Sequence, residues 1–271
     1  MPLRHYPGIP TSPSQAWRRP RWAARCAWAA GVLLACVLTH NAHAWGIGSY
    51  YQDHWIAQDM LRRTYENHNR AFSQGSSRKA KQGKAQQPTS NPKAYQYTFS
   101  QAVSDQVATE FIEQLLADTR KRGALDAATE QKIRTMAGWN FVPAVRERLH
   151  KKAGSPKKDN VAQAIAFWLL INYGTIHKAQ NTDMATGQLV QQFEVALSKD
   201  QGMLSMSDAD KQRMAESLLW QSLVQIVAQE EAGNDPARLQ AAADQARANL
   251  RSVGIDADTL HMTKQGLALS H

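Results

Sequence analysis

The stretch Asp159 to Ala179, DNVAQAIAFWLLINYGTIHKA, constrains this chain more than any other. Between Val161 and Tyr173 only Gln163 and Asn172 are polar, so a helix here is apolar on nearly every face. Such a helix is either buried on all sides or set in a membrane. A bilayer needs about 20 consecutive apolar residues, and this run is shorter. It reads as the central helix of a soluble bundle, residues 159–179, capped by Asp159.

The flanking sequence supplies helices to pack around it. Ser100 can cap a helix to about Arg122, with Val103, Val107, Phe111 and Leu115 spaced by four and Gly123 beyond its end. Asp126 can cap the next, with Ile133 and Met136 inward and Gly138 closing it. Phe141 to Lys152 follows, with Pro143 tolerable only in the first turn and Val145 and Leu149 on the inner edge. Thr182 to Lys199 presents Leu189, Val190, Phe193 and Leu197 on one side. Ser207 opens a long helix to Ala232, in which Met214, Leu218, Val224 and Val227 recur at helical spacing. Gly233-Asn234 breaks it, and Asp235-Pro236 restarts a helix to about Ser252. The tail from Ile255 reads as extended or irregular. No strand series or fixed-period repeat is found, so the fold class is all-α: about six helices around the central one, plus a helical arm.

The first 44 residues read as an export signal. Arg4, Arg18, Arg19, Arg21 and Arg25 precede or enter an apolar run from Ala27 to Leu38, and Ala42-His43-Ala44 offers a cleavage site before Trp45. Leu33-Leu34-Ala35-Cys36 gives a lipoprotein variant of the same reading, ranked below plain cleavage, and Arg18-Arg19 fits a twin-arginine signal poorly. Cleavage leaves 227 residues, enough for one well-buried core. Both cysteines, Cys26 and Cys36, fall in the signal, so the remainder uses no disulfide; a periplasmic or secreted location fits.

Residues 45–72 form an N-terminal helical arm, with Trp55, Ile56 and Met60 able to share one side of a helix from Gln52 to Phe72. Residues 73–94 hold no acid and no large apolar residue. They read as a disordered basic linker, ahead of an all-α domain at 95–271. The net charge of +9 belongs to the flanks: +5 lies in residues 1–44 and +5 in residues 45–94, leaving −1 for residues 95–271. The high pI is therefore no evidence for a nucleic-acid surface.

The order of several short stretches resembles an uncharacterised bacterial exported family, domain of unknown function 6683. They are Trp-Gly-x-Gly-x-Tyr-Tyr (Trp45–Tyr51), Tyr97-Thr98-Phe99, Val103-Ser104-x-x-Val107 and the Asn160-to-Trp168 helix. Lys211-Gln212-x-Met214-Ala215-Glu216 and Gly254-x-Asp256 … Leu260-x-Met262-Thr263-x-x-Gly266-Leu267 complete the series. The resemblance implies export and a helical domain. It implies no activity and no catalytic residues.

No reaction motif is present. The histidines that follow the signal (His54, His68, His150, His177, His261 and His271) do not pair at helical spacing, and zinc would need ligands from separate elements. Asp53-His54 beside Asp59 is the nearest approach to a metal cluster; a solvated face is the default. Glu110, Glu113, Glu147, Glu194 and Glu216 are the carboxylates a helical peptidoglycan hydrolase would draw on. Glu113 beside Leu115-Leu116 and Glu216 before Leu218-Leu219 are the two with a chance of burial. Helix-borne glutamates are more often solvated or weakly paired.

Trp139, Trp168 and Trp220 read as core or groove residues. Asn160, Asn172 and Tyr173 make a buried hydrogen-bond network or line a small pocket. No catalytic, cofactor or metal residues are assigned. The first functional reading is an exported non-enzymatic domain acting through a protein partner in the cell envelope, its arm docking on its own domain or on that partner. A cell-wall hydrolase and a small-ligand carrier are the alternatives.

Overall fold

The computed structural model describes residues 91–153, 158–178, 186–263 and 266–269. The stretches read from the sequence as signal, arm and linker, up to residue 90, lie outside the described residues, as does the Asp53-His54-Asp59 group. The described residues hold eight α-helices: α1 (Gln101–Lys121), α2 (Ala127–Met136), α3 (Phe141–Ala153), α4 (Val161–His177), α5 (Thr186–Leu197), α6 (Gln201–Ser205), α7 (Asp208–Ala232) and α8 (Pro236–Ser252). The class expected from the sequence, an all-α bundle around a central helix, is the class observed.

Helix α4 is the centre. Of its residues only Phe167, Tyr173 and His177 keep appreciable exposure. It packs against α7, α8, α5 and α3. Ala162, Ala164 and Ala166 let neighbours approach closely, while Ile165, Trp168, Leu169 and Leu170 supply the apolar area. Each large side chain of this kind contributes about 1.5–3 kcal/mol on burial. The helix stops where Lys178 turns left-handed at φ 50°, returning its backbone N–H to the Gly174 carbonyl.

Four of the five expected caps act as read. The Ser100, Asp126, Ser207 and Asp235 side chains accept from backbone N–H groups of the first turns. The fifth moves by one residue. Asn160, not Asp159, caps α4, its Oδ1 accepting from Ala162 N at 2.8 Å, because Asp159 is held by an arginine described below. Helices α1 and α8 end in Schellman turns through left-handed Gly123 and Gly254.

The domain also uses more of the chain than the periodicities show. Pro92–Ala94, at the end of the stretch read as linker, forms a 3-10 turn with Ala94 fully buried. The next residues cross the start of α4: Val161 N donates to Tyr95 O at 2.8 Å and Tyr97 N to Asp159 O at 3.2 Å. At the other end, of the two expectations for the tail, extended or irregular, the strands observed match the extended one. A 3-10 turn (Ala257–Thr259) leads into an antiparallel hairpin of β1 (Leu260–Thr263) and β2 (Gly266–Leu269), with Leu260 opposite Leu269. The hairpin lies on α5, where a Cβ on Gly266 would come within 2.4 Å of Gln192 Oε1.

Candidate functional site

Three places among the described residues carry chemistry beyond simple packing. The first is a knot of buried charge. Glu216, on α7, is fully buried. One turn earlier Gln212, also fully buried, donates its Nε2 to Glu216 Oε1 at 2.9 Å and to Ser100 O at 2.8 Å, and its Oε1 accepts from Ser100 N at 2.8 Å. From α3 comes Arg146, whose Nη2 donates to Asp159 and whose Nη1 lies 3.7 Å from Glu216 Oε1. The guanidinium sits 4.3 Å from the centre of the Phe99 ring, a cation–π contact. Tyr97, 5% exposed, completes the shell.

The electrostatics follow from the burial. Loss of water pushes the Glu216 carboxyl above the usual carboxylate range, opposed by the Ser104 hydroxyl, the Gln212 amide and the Arg146 guanidinium. Burial likewise pushes the Tyr97 phenol far up, with Arg146 opposing. Nearby Lys211, buried with its Nζ donating to Lys93 O at 2.7 Å, is held below the usual lysine range by its burial. A raised carboxyl suits a general acid, yet a general acid must also meet a substrate. Neither of the cavities described below is lined by Glu216, Arg146 or Asp159. The arrangement ties the entry segment, α3, α4 and α7 together.

The other glutamates behave as helix-surface groups. Glu113 pairs with Arg134 at 2.7 Å, Glu110 with Arg213 at 3.1 Å and Glu147 with Lys151 at 3.1 Å. Glu194 accepts from Asn160 Nδ2 at 2.7 Å. Asn172 joins a buried network rather than a pocket wall: its Nδ2 donates to Trp168 O at 2.8 Å and its Oδ1 accepts from Asn249 Nδ2 at 3.0 Å. Tyr173 packs against His177 with ring centres 4.2 Å apart and the rings tilted by 35°. Trp168 and Trp220 are core; Trp168 donates to Gln221 Oε1 at 3.1 Å and Trp220 stacks on Phe111. Trp139 is partly buried against the same core.

The second place is a groove of about 320 Å³ between α3, α4, α7 and the first residue of α5. Its floor is apolar, built from Phe141, Val145 and Leu149 of α3, Phe167, Leu170 and Ile171 of α4, and Ile226 of α7. Phe167 and Ile226 remain half-buried on helices that are otherwise inside. Arg148 and Lys152, one turn apart on α3, stand at the rim with Gln229 and Glu230 opposite. Both cations are exposed and make no ion pair among the described residues. The size falls at the small end of the roughly 300–1,000 Å³ typical of binding pockets. Sequence reading missed this groove, although Ile226, an apolar residue off the Val224–Val227 stripe of α7, was a signal for it.

A third feature is polar: a cleft of about 440 Å³ lined by Arg247, Arg251 and residues 254–258. Beside it His177 is held below the usual histidine range by burial, then by Arg247 and His261, against Asp258. Among the described residues, no three His, Cys, Asp or Glu side chains are grouped to hold a metal, and no helix is long and apolar enough to cross a membrane.

Together these features define a helical domain with one knot of charge sealed inside and an apolar groove on its surface. A family model covers residues 23–270, and the chain belongs to that family, DUF6683, a family of unknown function. No curated protein and no solved structure matches the chain. Several of the stretches that carry the resemblance in sequence converge at the knot: Tyr97–Phe99, Ser104 and Gln212–Glu216.

Proposed function

We propose that the chain is an exported, non-enzymatic helical domain that acts through contact with a protein partner in the cell envelope, and that the α3–α4–α7 groove is its contact face. The groove carries this reading, because half-exposed Phe167 and Ile226 beside the buried Leu170 and Ile171 give the form that receives the apolar face of a helix. Export rests on the pattern of residues 1–44. The experiment is crosslinking in the native envelope followed by pull-down, comparing wild type with Ile226→Glu. A charge placed on the groove floor is expected to remove the crosslinked partner while leaving the melting temperature within a few degrees. An identical set of captured proteins from both forms would end this reading.

The raised carboxyl of Glu216 favours a second reading, a cell-wall hydrolase. A zymogram on purified peptidoglycan decides it. Clearing by wild type that is lost in Glu216→Gln supports the enzyme; absence of clearing by wild-type protein with a native melting profile supports the contact domain.

A further inference from the structure

The groove asks for a particular kind of occupant. Its floor takes bulky apolar side chains, and its rim offers two cations, Arg148 and Lys152, that have no ion-pair partner among the described residues. The matching occupant is a helix with an apolar stripe and an acidic residue on the same side. Within this chain, residues 52–60 have that composition. On a helix, Trp55, Ile56 and Met60 would share one side, and Asp59, one turn beyond Trp55, would fall within that same side between Trp55 and Ile56. Residues 73–90 offer no alternative, since they contain neither an acid nor a large apolar residue.

The connection is long enough. The chain between Phe72 and Asn91 spans about 60 Å when extended. A domain of this size is roughly 40 Å across. A tether of that length also presents its segment at an effective concentration near the millimolar range, so a modest contact suffices for occupancy. The family model covers residues 23–270, so arm and domain fall within one family match.

We propose that the segment Gln52–Met60 of this chain docks in the groove of its own domain, with Trp55, Ile56 and Met60 on the apolar floor and Asp59 against Arg148 and Lys152. This rests on the reading of the groove as a helix-docking face. It makes the arm a built-in competitor of any external partner: removing residues 45–72 exposes the floor and raises partner capture, whereas an arm that is itself the partner-binding element would lower it.

The test uses the full chain with Cys26→Ser and Cys36→Ser, which leaves no other cysteine. Met60→Cys is combined with Ile226→Cys, and in a control with Gln240→Cys, an exposed position on α8 outside the groove. Under mild oxidation the groove pair is expected to give about tenfold more intramolecular bridge than the control pair, at a yield independent of protein concentration. Asp59→Lys should reduce the bridge, and adding Arg148→Glu should restore it.

Equal bridging by the two pairs overturns the proposal. So does bridging that appears only as a covalent dimer and grows with concentration, which would put the arm in a second copy. Either result leaves the groove reading intact if Ile226→Glu still removes the external partner. Loss of both effects removes the two together.

Discussion

Helices α4 and α7 are both buried along most of their length, yet they reach the interior by different means. In α4 the side chains are apolar in nearly every direction, and two of its buried polar groups are satisfied locally or by one neighbour: Asn172 through Trp168 O and Asn249, Thr175 through Ile171 O. In α7 the buried set includes Lys211, Gln212, Glu216, Gln221, Ser222 and Gln225. Each needs a partner supplied from elsewhere in the chain or its own preceding turn, such as Lys93 O, Ser100, Trp168 or Ala242 O. One helix is stabilised by the area it removes from water. The other is held in place by specific partners, and an interior of that kind tolerates loss of a single partner badly.

Substitutions turn this contrast into magnitudes. The largest loss is expected at Arg146. Arg146→Met leaves Glu216 and Asp159 without their cation, and breaking a buried ion pair from one side typically destabilises by about 3–5 kcal/mol. Leu169→Ala in α4, at a position 1% exposed, belongs to the class of buried Leu→Ala changes that lose about 2–5 kcal/mol through transfer and cavity effects. Urea unfolding of both variants measures the difference, and equal sensitivity at surface control sites would erase the distinction. Asn249→Ala strips the partner from buried Asn172 Oδ1 and should cost about 1–3 kcal/mol.

The smallest effect is one of pH. Because the folded-state pKa of Glu216 is raised, the native state takes up its proton before the unfolded state does as pH falls. The stability associated with that proton is fully present below the unfolded value near 4.3 and is lost as pH rises through the folded value. Glu216→Gln removes this dependence. The stability of wild type relative to Glu216→Gln should therefore increase as pH drops from 7 toward 4, read from urea midpoints; a constant difference would place the carboxyl in an ordinary solvated setting.

The same contrast explains what was legible in the sequence. Helix α4 announced itself through composition, and the caps at Ser100, Asp126, Ser207 and Asp235 are local chemistry that a sequence displays directly. The Asp159 cap was misplaced by one residue because its true role depends on Arg146, 13 residues earlier and on another helix. The burial of Glu216 had a signal in Leu218-Leu219, but Arg146 had none, since an arginine in a lysine- and histidine-flanked helix reads as surface. Helix α6 is only five residues long, and the β1–β2 hairpin has strands of four, too short for periodicity to register. The groove depends on how three helices meet, which leaves only faint marks in any one of them: Phe167 on an all-apolar helix and Ile226 off the expected stripe.

Whether the buried charge is architecture can be measured most directly by removing it in stages. Arg146→Met alone is expected to lose about 3–5 kcal/mol of unfolding free energy, and adding Glu216→Leu and Asp159→Asn in the same chain should return most of that loss, because the stranded carboxylates are gone. Losses that simply add across the three substitutions would contradict it, and would mean that Glu216 and Asp159 are held by contacts other than Arg146.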